Sequence, residues 1–320
     1  MVSKQKQKNF SVIIFAIVTV LITSTAFFIS RPVLAATYVD GEISVDTTWT
    51  LANSPYVVLR KVIVNPGVTL TIEPGVVVKF NYEASLLVWG KLYAIGTPSQ
   101  KIYFTSIADD EVGGDTNGDG DESFPQPEDW KHIEFASFSL GIFDNTVIRY
   151  GGFYIPVPVT GIFNEGGTVL VYRSEIVFNG MSGISQTSGW MVVRDSKISH
   201  HTYQGIVIWD GYASFSNNSI YDNGEFNMRN YTRSVIDAEN NWWGDPTGPY
   251  HPILNPGGLG GRVSDYIDFI PWLTEDPWEK LQNYPPEISN LNQFKSDEQT
   301  VISEGEITTE SSPLDPRKGI

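Results

Sequence analysis

The sequence predicts an all-β solenoid, a right-handed parallel β-helix of about eight stacked coils with a repeat of 22 residues. Three columns of mainly apolar residues recur at this interval without gaps. They are Val169, Met191, Ala213 and Val235; Ile176, Ile198, Ile220 and Trp242; and Ile162, Ile184, Ile206 and Met228. Because turn-forming residues separate the columns, each coil is expected to contain three short strands.

Within a coil, the residues alternate as they do in a β-strand. Val169 and Val171 share one face, whereas a helix would place apolar residues three and four apart over ten or more positions. Stacked coils lie about 4.8 Å apart, so residues 22 apart become neighbours. We therefore expect Glu175 beside Lys197 and Arg173 beside Asp195, which pairs opposite charges on the outer surface.

A polar column is predicted at one turn of the coil. It consists of Asn179, His201, Asn223 and Asp245, again 22 residues apart. Asn tolerates the left-handed backbone that tight turns need, and its side chain forms hydrogen bonds along a stack. This column is interpreted as structural.

The chain resembles the secreted, pectin-lyase-like right-handed β-helix repeat proteins. An early coil with a Pro-Gly turn, the middle coils punctuated by Asn and Gly, and two closing segments carry the resemblance. The quoted segments are Thr69-Leu70-Thr71-Ile72-Glu73-Pro74-Gly75, Asn240-Asn241-Trp242-Trp243-Gly244-Asp245-Pro246-Thr247-Gly248-Pro249 and Phe269-Ile270-Pro271-Trp272-Leu273. The resemblance implies this fold for residues 36–275, but it does not imply an activity, since the fold hosts enzymes and non-enzymes.

The two ends differ from the repeat region. Residues 1–35 combine Lys4, Lys6 and Lys8 with an apolar run and small residues at Ala35-Ala36, which is the order of a secretory signal peptide. The alternative is an uncleaved membrane anchor, because the apolar run is close to the length of a membrane span. Residues 276–320 are polar and acidic, and they are predicted to form a linker with an incomplete fibronectin-like or immunoglobulin-like module.

The charge and composition restrict the partners and the location. The net charge of −16 argues against nucleic acid, which requires a basic surface, and disfavours an anionic membrane surface. Membrane contact is expected only through the signal or anchor segment. The chain has no cysteine, so an exported protein of this sequence must be stabilised by core burial, backbone ladders or a metal ion. A secreted or cell-surface location is predicted.

An acidic insertion at residues 108–130 resembles half of a calcium-binding loop. Asp115, Asn117, Asp119 and Asp121 alternate, with Gly120 at the sixth position for a tight turn. Calcium is the predicted ligand, with Asp121 contributing its carbonyl oxygen. The twelfth position is Gln126 and not the expected Glu. The remaining ligands would then come from Glu122, Glu128, Asp129, Asp109 or Asp110, and the alternative is a solvated acidic loop without metal.

Aromatic residues one coil apart are candidates for carbohydrate binding. The 22-residue register places Trp209 beside Tyr231 and Tyr221 beside Trp243. Sugar rings pack against aromatic faces while their hydroxyl groups bind polar neighbours. The alternative is that loops or the C-terminal cap cover these rings.

Catalytic signatures are sparse in this sequence. The related polysaccharide hydrolases pair carboxylates in short sequence elements, and the lyases need a calcium cluster with a basic residue. This chain has the pair Asp109-Asp110 only inside the acidic loop, and it has none of the companion elements. Asp210, His201 and Arg233 are the one constellation that adjacent coils would bring together as a general acid/base group.

Three functions are therefore considered. The first is a non-enzymatic, calcium-stabilised surface protein that binds a polysaccharide or cell-surface glycan or acts as an adhesin. The second is a polysaccharide lyase or glycoside hydrolase of the same fold. The third is a structural spacer, which would bind no glycan.

Overall fold

A computed structural model describes residues 36–152 and 160–281 of the chain. Its regular structure is almost entirely β. The strands are β1 (Thr37–Ile43), β2 (Thr47–Trp49), β3 (Tyr56–Val64), β4 (Thr69–Ile72), β5 (Val77–Phe80), β6 (Ser85–Val88), β7 (Lys91–Ile95), β8 (Ile102–Ser106), β9 (Ile133–Phe135), β10 (Leu140–Asp144), β11 (Thr146–Arg149), β12 (Thr160–Asn164), β13 (Thr168–Tyr172), β14 (Glu175–Val177), β15 (Ser182–Gln186), β16 (Trp190–Arg194), β17 (Lys197–Ser199), β18 (Gln204–Ile208), β19 (Tyr212–Ser216), β20 (Ser219–Tyr221), β21 (Phe226–Asn230), β22 (Ile236–Asp237), β23 (Pro249–Tyr250), β24 (Gly260–Arg262) and β25 (Ile267–Asp268). A short helix, α1 (Pro277–Leu281), follows them.

The strands form three parallel faces. The first face contains β5, β8, β11, β14, β17 and β20, and the second contains β6, β9, β12, β15, β18 and β21. The long strand β3 joins these two faces, because Tyr56–Val58 pair with β5 and Lys61–Val64 pair with β6. The third face is a separate nine-stranded sheet, in the order β2-β4-β7-β10-β13-β16-β19-β22-β25. Successive strands of the chain visit the three faces in turn, which fits a parallel β-solenoid.

The predicted 22-residue register is present in the central coils. Ile176 pairs with Ile198 and Ile198 with Ile220, while Val169 pairs with Met191 and Met191 with Ala213. All of these side chains point inward and are at most 3% exposed. Full burial of such a side chain contributes about 1.5–3 kcal/mol, so these columns are a main source of stability.

The register changes by one residue in the last coils, and two predicted column positions are wrong there. Ser214 pairs with Asp237, 23 residues later, so Ile236 lies in the interior in place of Val235. Val235 is 53% exposed. The shift continues to the first face, where Trp243 is fully buried in the core in place of Trp242. The turn between β21 and β22 contains the extra residue, and a strand of period two must then present the next residue inward.

The turns place left-handed residues in columns. Arg173, Asp195 and Asn217 have φ between 45° and 55° at the corner between the third and first faces. Phe178, His200 and Asp222 have φ between 53° and 61° at the corner between the first and second faces. The prediction placed this backbone conformation at Asn179 and His201, but the structure places it one residue earlier.

Charged side chains at the first corner pair with other partners than those predicted. Glu175 does lie beside Lys197 in the ladder, yet its carboxylate accepts a hydrogen bond from Lys101 at 2.8 Å. Arg173 binds the buried carboxylate of Asp144 through two hydrogen bonds of 2.9 and 2.7 Å. Lys101 lies two coils from Glu175 and Asp144 lies one coil from Arg173, so long side chains reach along the stack and the register alone does not select the partner.

The two ends of the described chain are both packed against the solenoid. At the N-terminal end, β1 pairs with β3 and β2 pairs with β4, so this segment is the first coil of the stack. At the other end, Trp278 of α1 is 8% exposed, and its backbone N–H donates to the Ser219 hydroxyl of β20. Within the described ranges, no helix has the length and apolar character to span a bilayer. The predicted signal peptide at 1–35 and most of the predicted 276–320 segment lie outside these ranges.

The one-residue shift gives a test with adjacent residues. Ile236→Ala is expected to lower the free energy of unfolding by about 2–5 kcal/mol, because it removes a fully buried side chain. Val235→Ala is the matched control and should change it by less than about 0.5 kcal/mol. Chemical denaturation monitored by tryptophan fluorescence measures both. Equal losses for the two variants would contradict the shifted register.

Candidate functional site

The acidic insertion between β8 and β9 folds around Asp115. One carboxylate oxygen of Asp115 accepts the N–H of Gly118 at 2.7 Å, and the other accepts the N–H of Gly120 at 2.9 Å. Both glycines have a positive φ, of 74° and 68°. Residues with a Cβ enter this region at a cost, which explains why the loop has Gly at these two positions.

Three carboxylates converge at this loop. Oxygens of Asp110, Asp115 and Asp119 all lie within 4.8 Å of one another. Atom Oδ1 of Asp119 is buried and has no hydrogen-bond partner among the described residues. Clustered carboxylates repel one another, and hard oxygen donors are the ligands that Ca²⁺ prefers. The donor set therefore fits the predicted cation.

Two of the four predicted calcium ligands, Asp115 and Asp119, have carboxylates in this cluster, and the other two, Asn117 and Asp121, do not. Asp115 and Asp119 join the cluster, while Asp110 comes from the residues just after β8. Asn117 uses its amide group to bind Asp119 Oδ2 at 2.8 Å, so this side chain orients a carboxylate. Asp121 is exposed and its carboxylate lies outside the three-carboxylate group, among the described residues.

A buried lysine lies beneath the acidic loop. Lys79 of β5 is fully buried, its amine donates to the carbonyl oxygen of Gly114, and Asp110 Oδ1 lies 4.0 Å away. Burial lowers the pKa of Lys79, while the nearby Asp110 and Asp109 raise it. Arg149 of β11 binds Asp109 at 2.6 Å. These contacts fix the loop on the outer side of the first face and balance part of its negative charge.

The aromatic pair Trp209 and Tyr231 lies at the corner between the second and third faces. The ring centroids are 4.1 Å apart, the interplanar angle is 3°, and both residues are 44% exposed. Each residue directly follows a strand, β18 for Trp209 and β21 for Tyr231, and these strands pair in register. The predicted neighbour relation is therefore confirmed.

The stacking geometry determines which ring surfaces remain available. The indole covers one face of Tyr231, and the guanidinium carbon of Arg229 lies 4.6 Å from the centre of the same ring. Because the first face is occupied, Arg229 lies against the second. One coil before Trp209, the same column position is held by a smaller residue, Thr187. The backbone hydrogen bonds show this equivalence, because the N–H of Thr187 donates to the carbonyl oxygen of Asn164 and the N–H of Trp209 donates to that of Gln186. The open aromatic surface is thus the second face of Trp209 and the ring edges.

Cations and rings alternate further along the second face. Arg229 lies 4.9 Å from the ring of Phe226, and Arg262 of β24 lies 4.4 Å from the same ring. Glu225 accepts a hydrogen bond from Arg229 at 3.2 Å. This row holds Tyr231 in place, because each ring has a cation against it.

The second predicted aromatic pair, Tyr221 and Trp243, is not a pair of exposed rings. Trp243 is fully buried and fills the last part of the core, as the one-residue shift requires. Gly244 lies beside Tyr221 instead, since a Cβ on Gly244 would come 3.0 Å from that of Tyr221. Tyr221 is half-buried, and the amine of Lys197 lies 5.6 Å from the centre of its ring. Trp243 is therefore removed from the candidate surface.

The predicted acid/base group is not brought together. His201 is buried at the corner between the first and second faces, while Asp210 and Arg233 are exposed beyond the ends of β18 and β21. The Nδ1 atom of His201 accepts the N–H of Asn179 at 3.1 Å, and Nε2 donates to the carbonyl oxygen of Ile176 at 3.0 Å. Burial lowers the pKa of His201 to about 3. Its imidazole is thus neutral and has no nitrogen available for a substrate.

His201 instead belongs to a polar ladder that crosses three coils. Asn223 Oδ1 accepts the N–H of His201 at 3.2 Å, and Asn179 Oδ1 accepts the N–H of Gly151 at 2.9 Å. Each ladder side chain thus satisfies a backbone N–H of the preceding coil, which would otherwise be buried without a partner. The structural interpretation of this column agrees with the geometry for Asn179, His201 and Asn223.

The glycine column seen in the sequence makes room for this ladder. A Cβ on Gly183 would lie 2.3 Å from Nε2 of His201, and a Cβ on Gly205 would lie 2.8 Å from Nδ2 of Asn223. Gly161 has the same relation to Asn179, at 2.9 Å. The 22-residue repetition of these glycines was visible in the sequence. Its physical reason becomes clear only from the positions of the ladder side chains.

Two candidate regions remain after these placements. They are the three-carboxylate loop on the first face and the aromatic corner formed by Trp209, Tyr231 and Arg229. No protein-family model, curated protein or solved structure matches the chain. The chemistry of these two regions therefore carries the functional proposal.

The ladder gives a prediction about acid sensitivity. An unfolded histidine binds a proton below about pH 6.5, but buried His201 does not until about pH 3, so stability falls as pH is lowered between these values. The loss is about 1.4 kcal/mol per pH unit. His201→Asn is expected to flatten this part of the profile, because Asn223 already makes equivalent hydrogen bonds.

Urea denaturation at several pH values between 6.5 and 4 measures this effect. His200→Asn, at the exposed neighbouring histidine, is the matched control and should keep the slope of the parent chain. An unchanged slope in His201→Asn would show that His201 is not the acid-sensitive group.

Proposed function

We propose that the protein is an exported, non-enzymatic carbohydrate-binding or adhesive protein of the cell surface or extracellular space. Its body is a calcium-stabilised, right-handed parallel β-helix of the pectin-lyase-like kind. The observation that carries the proposal is the exposed Trp209–Tyr231 stack, held by Arg229 on a rigid strand ladder. A preorganised aromatic surface reduces the entropy that a ligand must overcome on binding.

The open face of Trp209 is the surface on which a sugar ring is expected to pack. The C–H groups of a pyranose contact an indole face, and its hydroxyl groups need polar partners. Asp210 follows Trp209 directly, is exposed, and uses only Oδ1 for its hydrogen bond to the N–H of Gly211 among the described contacts. Thr187 holds the preceding position of the column, and its hydroxyl donates to the Asn164 carbonyl oxygen at 3.5 Å, which leaves the hydroxyl oxygen able to accept a hydrogen bond. Together these groups offer one apolar and two polar contacts to a hexose.

The right-handed β-helix is proposed on two grounds beyond the parallel ladder. Connections between parallel strands in one sheet are right-handed in nearly all proteins, because of the twist of the strands. The segments quoted for the resemblance also follow strands of the third face: Glu73-Pro74-Gly75 follows β4, Asn240 to Pro249 follow β22, and Phe269 to Leu273 follow β25. Export is proposed from residues 1–35, and the absence of cysteine from the chain agrees with stabilisation by ladders and burial.

Calcium is proposed as a structural ion at the acidic loop. Asp110, Asp115 and Asp119 supply three carboxylates, and within the described part of the chain nothing forms a hydrogen bond with buried Asp119 Oδ1. The carbonyl oxygen of Asp121 is available as a further ligand, as in calcium loops of this sequence pattern. Lys79 balances part of the charge from below. Binding would link the insertion to the first face and stabilise the folded state.

Trp209→Ala tests the carbohydrate proposal. The substitution is expected to weaken binding to a recognised glycan by about 1–2 kcal/mol, or roughly five- to thirtyfold, because the stacking surface is lost. Trp89→Ala is the matched control, since Trp89 is 41% exposed in the same column of the corner but at the other end of the solenoid. A glycan array followed by isothermal titration calorimetry provides the measurement.

Two results would contradict the carbohydrate proposal. Binding to no glycan on an array of neutral and uronate-containing polysaccharides would favour the spacer. Cleavage of a glycan bond that is abolished in Asp210→Ala would favour the polysaccharide lyase or hydrolase.

Asp119→Asn tests the calcium proposal. A site filled at one hundred times its dissociation constant stabilises the folded state by about 2.7 kcal/mol, so calcium is expected to raise the melting temperature of the parent chain. Asp119→Asn should lose most of this increase. Asp121→Asn should retain it, because its carboxylate lies outside the cluster. Calorimetry with calcium and with chelator measures the shift, and equal melting temperatures in the parent chain would contradict a calcium site.

A further inference from the structure

The outer side of the third face carries an apolar strip. Side chains along each strand of this face alternate between the core and the outer surface. A residue that lies between two core residues therefore points outward. Val169 and Val171 belong to the main core, whereas Leu170 between them belongs to a second, separate apolar cluster. The strip is defined by the outward residues Leu140, Ile142, Leu170, Tyr172 and Val192, with Tyr93, Ile95 and Trp190 packed against them.

The strip is buried although it points away from the solenoid interior. Leu170 is 0% exposed, Ile142 is 3% exposed and Val192 is 5% exposed. Outward side chains of a single sheet layer face solvent unless another layer packs on them. The neighbouring outward residues cannot enclose one another from above, so burial to this degree requires a covering segment.

The described elements cover other surfaces. The acidic loop contacts Lys79 and Arg149 on the first face, and α1 contacts Ser219 on the same face. Strand β24 pairs with β23 near the C-terminal end of the stack. Within residues 36–152 and 160–281, the members of the strip cluster all come from the third face itself.

We propose that residues 282–320 dock on this strip and form the outer layer of the third face. The chain leaves the described region at Leu281, directly after Trp278 has packed against β20. Strand β19 of the third face ends at Ser216, three residues before Ser219 of β20. The segment therefore starts beside the corner that separates the first face from the strip.

The length and composition of the segment suit this surface. The strip spans β7, β10, β13 and β16, which are three strand spacings or about 14 Å, and about five extended residues cover that length. The 39 residues from 282 to 320 exceed this requirement. They include Ile288, Leu291 and Phe294, each separated by two polar residues, which supply apolar side chains for the strip.

Charge also favours this occupant. Exposed Lys91 and Arg194 lie on the outward side of the third face, beside the strip. The 282–320 segment contains more acidic than basic residues, among them Glu287, Asp297 and Glu298. Opposite charges at the rim of an apolar contact favour its formation and its orientation. Docking would convert the predicted linker into part of the folded body.

Cysteine labelling tests the proposal, because the natural chain has no cysteine. Val192→Cys reports on the strip, adjacent Val193→Cys reports on the core, and exposed Val235→Cys reports on free solvent. In the full chain, a soluble maleimide is expected to label Val192→Cys at least about tenfold more slowly than Val235→Cys. Adding Ile288→Asp, Leu291→Asp and Phe294→Asp to the tail should accelerate labelling at position 192 at least about tenfold.

The core reporter separates local exposure from unfolding. Val193→Cys should stay slow with and without the tail substitutions, which shows that the solenoid remains folded. The proposal is overturned if Val192→Cys is labelled rapidly in the full chain, or if the tail substitutions leave its rate unchanged. Protection that disappears when residues 1–35 are removed would assign the strip to that segment. Protection that grows with protein concentration would assign it to a second copy of the chain.

Discussion

The structure depends on one constraint, the parallel hydrogen-bonded ladder that holds each coil about 4.8 Å from the next. In the central coils, the fixed 22-residue interval keeps Ile176, Ile198 and Ile220 in one interior column. A shift by a single residue would turn every strand side chain to the opposite face. The ladder therefore fixes the core, and through the core it fixes which side chains are displayed outside.

At the corners of the coil, the backbone leaves the strand ladder, and its buried N–H groups need other hydrogen-bond acceptors. Asn179, His201 and Asn223 bind buried N–H groups of the preceding coil, and the glycine column leaves space for their side chains. This corner places a histidine in a structural role and removes it from chemistry. At the corner between the second and third faces, buried Gln186 likewise donates to the carbonyl oxygens of Asp210 and Tyr212, and the rings of Trp209 and Tyr231 are displayed outside.

The sequence was sufficient to predict the register of the central coils, but not the contacts that neighbouring side chains make. The interval of 22 predicted that Trp209 lies beside Tyr231, yet it did not predict that the rings stack and that Arg229 covers the remaining face of Tyr231. The 22-residue interval also did not reveal the extra residue between β21 and β22, because an exposed turn has no repeating apolar pattern that an insertion would interrupt. Trp243 consequently entered the core, and the predicted pair with Tyr221 was lost.

The acidic loop shows the same division. The alternating pattern predicted that Asp115 and Asp119 lie close together, because the glycines impose a tight turn. It could not select Asp110 over the other candidate carboxylates, since that choice depends on how Lys79 and Arg149 dock the loop on the first face. Long-range docking of a loop has no signature in local spacing.

The most direct test of the stacked ladder is a distance along the solenoid axis. Trp89 and Tyr231 follow strands that lie five spacings apart in the second face, β6 and β21, so their backbones should be about 24 Å apart. Spin labels on Trp89→Cys and Tyr231→Cys, in a chain without other cysteines, make this distance measurable by double electron–electron resonance. One narrow distribution near this value is predicted. A broad distribution, or a mean beyond about 40 Å, would contradict the ladder.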